Sequence, residues 1–334
     1  MAPKVSVLLP ARDAGATVDA AIASVLGQTF GDFELLAIDD GSADDTGARL
    51  AGWARRDARV RVLKTGGVGL VGALALGLEA ATGALLARMD ADDVSLPERF
   101  ARSVARLEAE PALSGVGTGV EIVRHDRPPS PGLVSYGRWL SSLTTPARLF
   151  ADSLVESPLC HPSVMLRREA LVDAGGWRDG DFPEDWELWL RLLQRGAKLV
   201  CLPEVLHRWT DHDGRLTRTD QRYRRDRHTR LRARVLRQRL EGRPLAIWGA
   251  GERGIALCRA LQALGAHVER FVDVNPRKLG QRIHGARVVF PHDLGPPGDE
   301  HVIASVGAQG ARAEIRAFLD SREFVEGQHF TCAA

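Results

Sequence analysis

One stretch, Ala84-Leu-Leu-Ala-Arg-Met-Asp-Ala-Asp-Asp-Val94, constrains this chain more than any other. An apolar run, Ala84 to Ala87, stops at three carboxylates, Asp90, Asp92 and Asp93. A short apolar run bounded by polar residues reads as a buried strand. Acids at its carboxyl end project where open α/β sheets bind ligands. Hard cations take oxygen ligands, often one or two carboxylates plus substrate phosphates. The stretch therefore reads as a metal-diphosphate site. The competing reading is a solvated acidic turn before the helix at Pro97.

The chain before it alternates strand and helix. Val5 to Leu9 is a strand that stops at Pro10. Thr17 is placed to cap a helix whose apolar positions Val18, Ile22, Val25 and Leu26 recur at helical spacing. Phe33 to Ile38 is a second strand and runs into Asp39-Asp40-Gly41-Ser42. The helix from Asp44 to Arg55 opens on acids that suit an amino terminus. Strand Val60 to Leu63, the turn Gly66-Gly67-Val68-Gly69 and a helix from Leu70 to Ala81 complete the pattern. It predicts an α/β fold with a mostly parallel sheet covered on both faces. Two strands then end in carboxylates at one edge, and converging like charges call for a cation or a row of donors. Taken alone, Asp39 and Asp40 also fit a β-turn of Asp-Gly-Ser chemistry.

Length and charge narrow the classes. A chain of 334 residues is comfortable for two domains. A net charge of +2 argues against a globally basic nucleic-acid binder. No apolar run approaches the roughly 20 residues that cross a bilayer, and the first ten residues read as a strand, not a leader. Cys160, Cys201, Cys258 and Cys332 are scattered, which fits a reduced cytoplasmic compartment and no structural zinc.

A second informative stretch is Phe182-Pro-Glu-Asp-Trp-Glu-Leu-Trp-Leu-Arg-Leu-Leu193. Trp186, Trp189, Leu190 and Leu193 recur at helical spacing, and Glu184 and Asp185 stand at the helix start. Asp185 either caps the helix or, with Glu184, serves as a general base that takes a proton from an attacking hydroxyl. His161, in the extended segment Cys160 to Arg167, reads as packed or ligand-facing. A strand from Lys198 to Leu202 precedes Val205-Leu-His-Arg-Trp-Thr-Asp-His212.

Together Pro10-Ala-Arg, Ile38-Asp-Asp-Gly-Ser-Ala-Asp-Asp-Thr46, Met89-Asp-Ala-Asp-Asp-Val-Ser-Leu-Pro-Glu-Arg99 and the Glu-Asp-Trp-Glu-Leu-Trp motif resemble a family 2 glycosyltransferase with the GT-A fold. The resemblance implies a nucleotide-diphosphate sugar donor, Mn²⁺ or Mg²⁺, and transfer with inversion. It implies nucleotide-sugar contacts at Pro10, Arg12, Asp39, Lys64, Arg88 and Asp90, with Asp39 on the base. It implies a metal at Asp90 and Asp92, with Asp92 the preferred direct ligand, and Asp185 as the base with Glu184 beside it. His212 is the candidate to complete the metal site and His207 the spare. Arg12 departs from the Asn carried by many members. The processive enzymes of the family carry Gln-x-x-Arg-Trp; here Val205 replaces the Gln, which favours single-sugar transfer in cell-surface glycan or glycoconjugate synthesis. The acceptor expected is a sugar, lipid-linked or on a protein.

Arg222 to Arg239 holds nine arginines, with Leu231, Val235 and Leu236 at helical spacing. It reads as a solvated linker helix or as a peripheral contact with acidic lipid at the inner membrane face. After it, Pro244-Leu-Ala-Ile-Trp-Gly-Ala-Gly-Glu-Arg-Gly254 leads a strand into Gly249, Gly251 and Gly254, and strand His267 to Val272 ends at Asp273. That spacing predicts a small Rossmann-like domain and a second candidate nucleotide site. The expected division is a GT-A domain over 1–218, a basic linker over 219–242 and the Rossmann-like domain over 243–334, in a chain that is a candidate homodimer. The alternatives are an NAD(P)-dependent sugar oxidoreductase, suggested by the late glycines, and a non-catalytic nucleotide-binding scaffold.

Overall fold

The computed structural model describes residues 2–334. The chain divides into two compact units. The first comprises 1–150, 157–180 and 184–219; the second comprises 151–156, 181–183 and 220–334.

The first unit is built on eight strands: β1 (Val5–Ala11), β2 (Phe33–Asp40), β3 (Val60–Thr65), β4 (Leu85–Arg88), β5 (Val94–Ser95), β6 (Leu113–Val123), β7 (Met165–Arg167) and β8 (Lys198–Thr210). They lie in the order β3-β2-β1-β4-β7-β6-β8-β5. The β3-β2-β1-β4 block is parallel, while β7 is antiparallel to both its neighbours. Alternation along β1 shows why both faces are covered. Val5, Val7 and Leu9 enter one core cluster with Ile22 and Phe100; Leu8 enters the other with Leu36 and Trp189. A parallel strand between two helical layers has no solvent face, so its sequence is apolar throughout.

Three local features differ from the sequence expectation. Thr17 makes no side-chain cap; its hydroxyl donates to the Ala14 carbonyl at 3.3 Å instead. By composition Arg127-Pro-Pro-Ser-Pro-Gly132 reads as a loop, yet a helix, Pro131–Leu140, starts inside it, with Ser130 as its cap. And β8 continues to Thr210, well past Leu202. The pairing of Thr118 with Leu202 is followed by that of Gly119 with Val205, so Pro203 and Glu204 bulge out of the ladder. A Cβ at Gly119 would stand 2.8 Å from the Glu204 carbonyl oxygen, so glycine there is what admits the bulge.

Gly83 is equally constrained. A Cβ would stand 2.7 Å from the Ser6 amide nitrogen and 2.8 Å from the Val5 carbonyl carbon. Both are backbone atoms of β1 and cannot swing away. Gly83→Ala is therefore expected to destabilise the first unit by about 1–3 kcal/mol; an unchanged urea midpoint would show that the strand shifts freely.

The second unit has a parallel sheet with one antiparallel edge strand: β9 (Leu245–Trp248), β10 (Val268–Val272), β11 (Arg282–Ile283), β12 (Ala286–Val289), β13 (His301–Ala304) and β14 (Phe330–Cys332). The order is β11-β12-β10-β9-β13-β14. This unit includes the basic helix Arg225–Arg239, which buries Leu231, Ala233, Val235 and Leu236. Its arginines are largely engaged inside the unit. Arg232 donates to the Leu154 and Val155 carbonyls at 2.7 and 2.9 Å, Arg227 pairs with Asp181, and Arg234 lies 5.2 Å over the Phe182 ring. Burial lowers Arg232 to about 10. Among the described residues no helix is long and apolar enough to cross a membrane.

His301, at the start of β13, is buried. Its Nδ1 faces Arg243 at 3.2 Å and the Gln328 carbonyl at 3.3 Å, and Nε2 meets the Thr331 hydroxyl at 2.9 Å. Burial, then the Arg243 charge, lowers it to about 4; the Gln328 carbonyl bond opposes the shift and the His329 charge adds to it. The folded ring stays neutral while the unfolded ring, with an ordinary value of about 6.5, takes a proton. Stability is thus full above pH 7 and is lost as pH falls from about 6.5 to about 4, by at most about 3 kcal/mol. Urea melts of wild type and His301→Gln should diverge in that window; parallel pH profiles would exclude His301 as the source.

Candidate active site

Parallel strands place their carboxyl ends at one edge of the sheet. Pro10 and Ala11 of β1 pair with Ile38 and Asp39 of β2. Asp39 and Asp40 in turn pair with Lys64 and Thr65 of β3. On the other side of β1, Leu8 pairs with Arg88, the last residue of β4, so Met89 to Asp93 continue onto the same edge.

The two acids of β2 differ in what they touch. The Asp40 carboxylate accepts from the amides of Val68 at 2.7 Å and Gly69 at 2.9 Å and from the Thr65 hydroxyl. It thereby ties the glycine turn and the start of helix Gly69–Ala80 to the strand. Asp39 accepts from the Ser42 amide through Oδ1 at 3.1 Å. Its Oδ2 faces Gly47, where a Cβ would stand only 2.6 Å away. Gly47 keeps that oxygen uncrowded. Arg12 is 57% exposed, beside Gly67 and 3.9 Å from Asp40. Lys64 is exposed and Pro10 buried within β1.

Asp90, Asp92 and Asp93 each bring one carboxylate oxygen within 4.8 Å of the others. Arg88 donates to Asp90 at 2.6 Å. Burial disfavours the Asp90 charge, but Arg88, His161 and Arg215 together outweigh it and hold the carboxyl below its ordinary range. Asp92 is pushed up to about 6, by burial and then by the charges of Asp90 and Asp93. Its Oδ2 lies 3.0 Å from Nε2 of His212.

Asp93 is committed elsewhere. The Thr210 amide donates to Oδ1 at 2.8 Å and His207 Nε2 lies 2.8 Å from Oδ2. Arg99 Nη1 stands 3.0 Å from His207 Nδ1. Arginine only donates, so Nδ1 accepts and the ring proton sits on Nε2, directed at Asp93. Burial, then Arg99, holds His207 well below its ordinary range, and burial lowers Arg99 to about 9. His207 is thus an internal strut for β8, not a spare metal ligand. The cation ligands on offer are Asp90 and Asp92, with His212 at hand. A hard oxygen donor set whose members repel one another fits a divalent cation, which would relieve that repulsion.

Segment 157–164 connects this edge to helix Glu184–Gln194. The Arg88 amide donates to the Val164 carbonyl at 3.0 Å. Ser157 Oγ donates to Asp185 Oδ2 at 3.1 Å. Cys160, between them, is raised by burial and then by the charges of Asp93, Asp90 and Asp185, so the two acidic groups share one electrostatic neighbourhood. His161 is buried. Trp177 donates to its Nε2 at 2.9 Å, and Nδ1 lies 3.6 Å from Glu184. Glu184 itself is 2% exposed, while Asp185 is half-buried. The geometry separates the pair: Glu184 is turned into the packing beside His161 and Asp185 is the more accessible acid.

Sequence reasoning passed over Arg215. Its guanidinium lies 3.9 Å over the Trp209 ring, and its charge acts on Asp90, Asp92 and Asp93 alike. Only the fold brings it there, since it stands in an irregular segment after His212 with no motif around it. In the second unit Gly249, Gly251, Gly254 and Asp273 come together. A Cβ at Gly254 would fall 1.8 Å from the Gly249 carbonyl oxygen. Asp273 turns back to the loop, accepting from the Ala250 and Asn275 amides at 2.9 and 2.8 Å and from Lys278 at 3.0 Å.

Known proteins agree with this architecture. The amylovoran biosynthesis glycosyltransferase AmsE of Erwinia amylovora is 30% identical over 180 residues, 54% of this chain and 65% of AmsE; the chain thus spans just under two thirds of that relative. The putative glycosyltransferase EpsE of Bacillus subtilis is 31% identical over 221 residues, 62% of this chain and 72% of EpsE. Among solved structures, S. aureus TarS 1-349 in complex with UDP-GlcNAc matches with a TM-score of 0.57 at 16% identity, over 77% of this chain and 71% of that one. The mannosyltransferase PcManGT from Pyrobaculum calidifontis, in complex with GDP-Man and Mn²⁺, matches with a TM-score of 0.52 at 18% identity, over 79% and 75%. These likenesses are of fold, a GT-A fold. Residues 6–175, half of the chain and the part that carries β1 to β4 and the acids at their ends, match glycosyl transferase family 2, and the chain belongs to that family.

Proposed function

We propose that this chain moves a single sugar, with inversion, from a nucleotide-diphosphate sugar to an acceptor hydroxyl in the synthesis of a cell-surface glycan. One observation carries the reading: Asp39 at the end of β2 and Asp90 and Asp92 just after β4, the two strands that flank β1, share one edge, and Asp185 is linked to it through segment 157–164. Asp39 Oδ2 accepts from the base, beside Arg12 and Lys64. Asp90 and Asp92, with His212 in reach, would hold Mn²⁺ or Mg²⁺, which would supply positive charge to neutralise the departing diphosphate. Arg88 holds Asp90 in place, and Arg215 adds a fixed positive charge to the same edge. Asp185 takes the proton of the acceptor hydroxyl as its oxygen attacks the anomeric carbon. A single displacement from the face opposite the leaving group inverts that carbon. The amylovoran biosynthesis relative supports the glycan setting, and the Mn²⁺ in the mannosyltransferase supports the choice of ion.

The test is calorimetry of UDP and GDP on the full chain with Mn²⁺ and with EDTA, followed by NMR of the product linkage. Binding at least about tenfold tighter with the ion is expected. Equal affinities would remove the metal from the reading, and a product of unchanged anomeric configuration would remove inversion.

A further inference from the structure

The second unit holds a cavity of about 610 Å³ at the carboxyl ends of β9, β10 and β13. From β9 the chain crosses first to β10 on one side and later to β13 on the other. The crevice at such a switch point is where open parallel sheets take ligands, and the volume is that of a small-molecule site. Its lining offers two kinds of chemistry. Phe290 stacks on His292 with centroids 5.6 Å apart, His292 meets Phe318 edge-on at 5.5 Å, and Phe318 meets Trp248 at 5.2 Å. This is a platform for a flat heterocycle. The glycine turn, Arg253 and Lys278 also line the cavity.

The glycines separate internal demands from open space. Gly249 has φ +113, and Gly254 has no room for a Cβ. Gly251 is under neither constraint: its φ is −95, and a Cβ there would meet nothing within 4 Å. The bare backbone at Gly251 therefore serves close approach from outside. The Arg253 guanidinium lies across Gly307, where a Cβ would fall 2.0 Å from Nη1, and among the described residues it pairs with no carboxylate. Asp273 already accepts from two amides and Lys278, so it braces the turn and is not the acid that reads a ribose. Glu252 and Glu314, also on the rim, are placed to accept from sugar hydroxyls.

We propose that this cavity binds a nucleoside diphosphate group, base on the Phe290-His292-Phe318 platform and diphosphate over Gly251 beside Arg253. A dinucleotide and a nucleotide sugar both contain that group, and the site is separate from the acids of the first unit. Calorimetry on the full chain in EDTA, with NAD⁺, ADP and UDP as probes, tests it. At least one probe should bind with a Kd of about 100 µM or tighter. Gly251→Asp should weaken it about tenfold or more, while Asp39→Ala leaves it unchanged. Binding of NAD⁺ and ADP without UDP identifies a dinucleotide as the source; UDP binding that Gly251→Asp weakens and Asp39→Ala spares identifies a nucleotide sugar. Arg253→Glu, at an exposed position, decides if Gly251→Asp fails to fold. The proposal is overturned if no probe binds, if both variants bind like wild type, or if Asp39→Ala abolishes the binding. None of these outcomes depends on whether the first unit transfers sugar.

Discussion

Asp185→Asn is expected to lower sugar transfer by about 10²–10⁴-fold, the usual contribution of a positioned base, while nucleotide binding stays within about twofold of wild type. The substitution is nearly isosteric, and the amide oxygen still accepts from the Ser157 hydroxyl that now meets Oδ2 at 3.1 Å. What disappears is a basic oxygen for the acceptor proton. The donor contacts we propose lie at the ends of β1 to β4 and are untouched, so the loss should fall on kcat. Glu184→Gln is the control. Glu184 is buried beside His161, so its replacement perturbs the start of the helix and should lower the melting temperature more than Asp185→Asn does, while retaining more transfer. An Asp185→Asn enzyme within about fivefold of wild-type kcat would move the base elsewhere. So would a Glu184→Gln enzyme that is equally inactive and equally stable.

How much of this site was legible in the residues depends on whether the signal was local. Strands β1 to β4 were readable because each apolar run is bounded by its own polar turn, and parallel topology then forces their ends to one edge. Asp39 and Asp90 could be placed together from those two facts alone. The strut of Asp93, His207 and Arg99 could not. It joins residues more than a hundred positions apart through a strand whose extension past Leu202 depends on Pro203 and Glu204 bulging against Gly119. Proline and glutamate argue against a strand by propensity, and the tertiary ladder overrides them. The same extension delivers His212 to Asp92. The attachment of 151–156 and 181–183 to the second unit was equally hidden, because Arg316 reaches Asp152 and Arg227 reaches Asp181 only after folding.

Asp92→Ala and Asp93→Ala, neighbours in sequence, should fail in opposite ways. Asp92 is 30% exposed, and burial, then the charges of Asp90 and Asp93, push its carboxyl up to about 6. Removing it relieves repulsion, so the melting temperature should hold or rise. Function should collapse, because the proposed cation would lose a principal ligand. Charge stabilisation at the leaving diphosphate amounts to several kcal/mol, so kcat should fall about 10³-fold or more, and the Mn²⁺ dependence of UDP or GDP affinity should vanish. Asp93 is buried and holds the Thr210 amide and His207. Its loss leaves the Thr210 amide and the His207 Nε2–H without their acceptor in the interior, at a cost of about 1–3 kcal/mol each. That variant should unfold early or fail to express, and any folded fraction should still bind nucleotide with Mn²⁺. Thermal melts and calorimetry on both variants separate the two roles. A destabilised Asp92→Ala would make that acid structural, and an Asp93→Ala protein of normal stability that no longer responds to Mn²⁺ would put Asp93, not Asp92, on the ion.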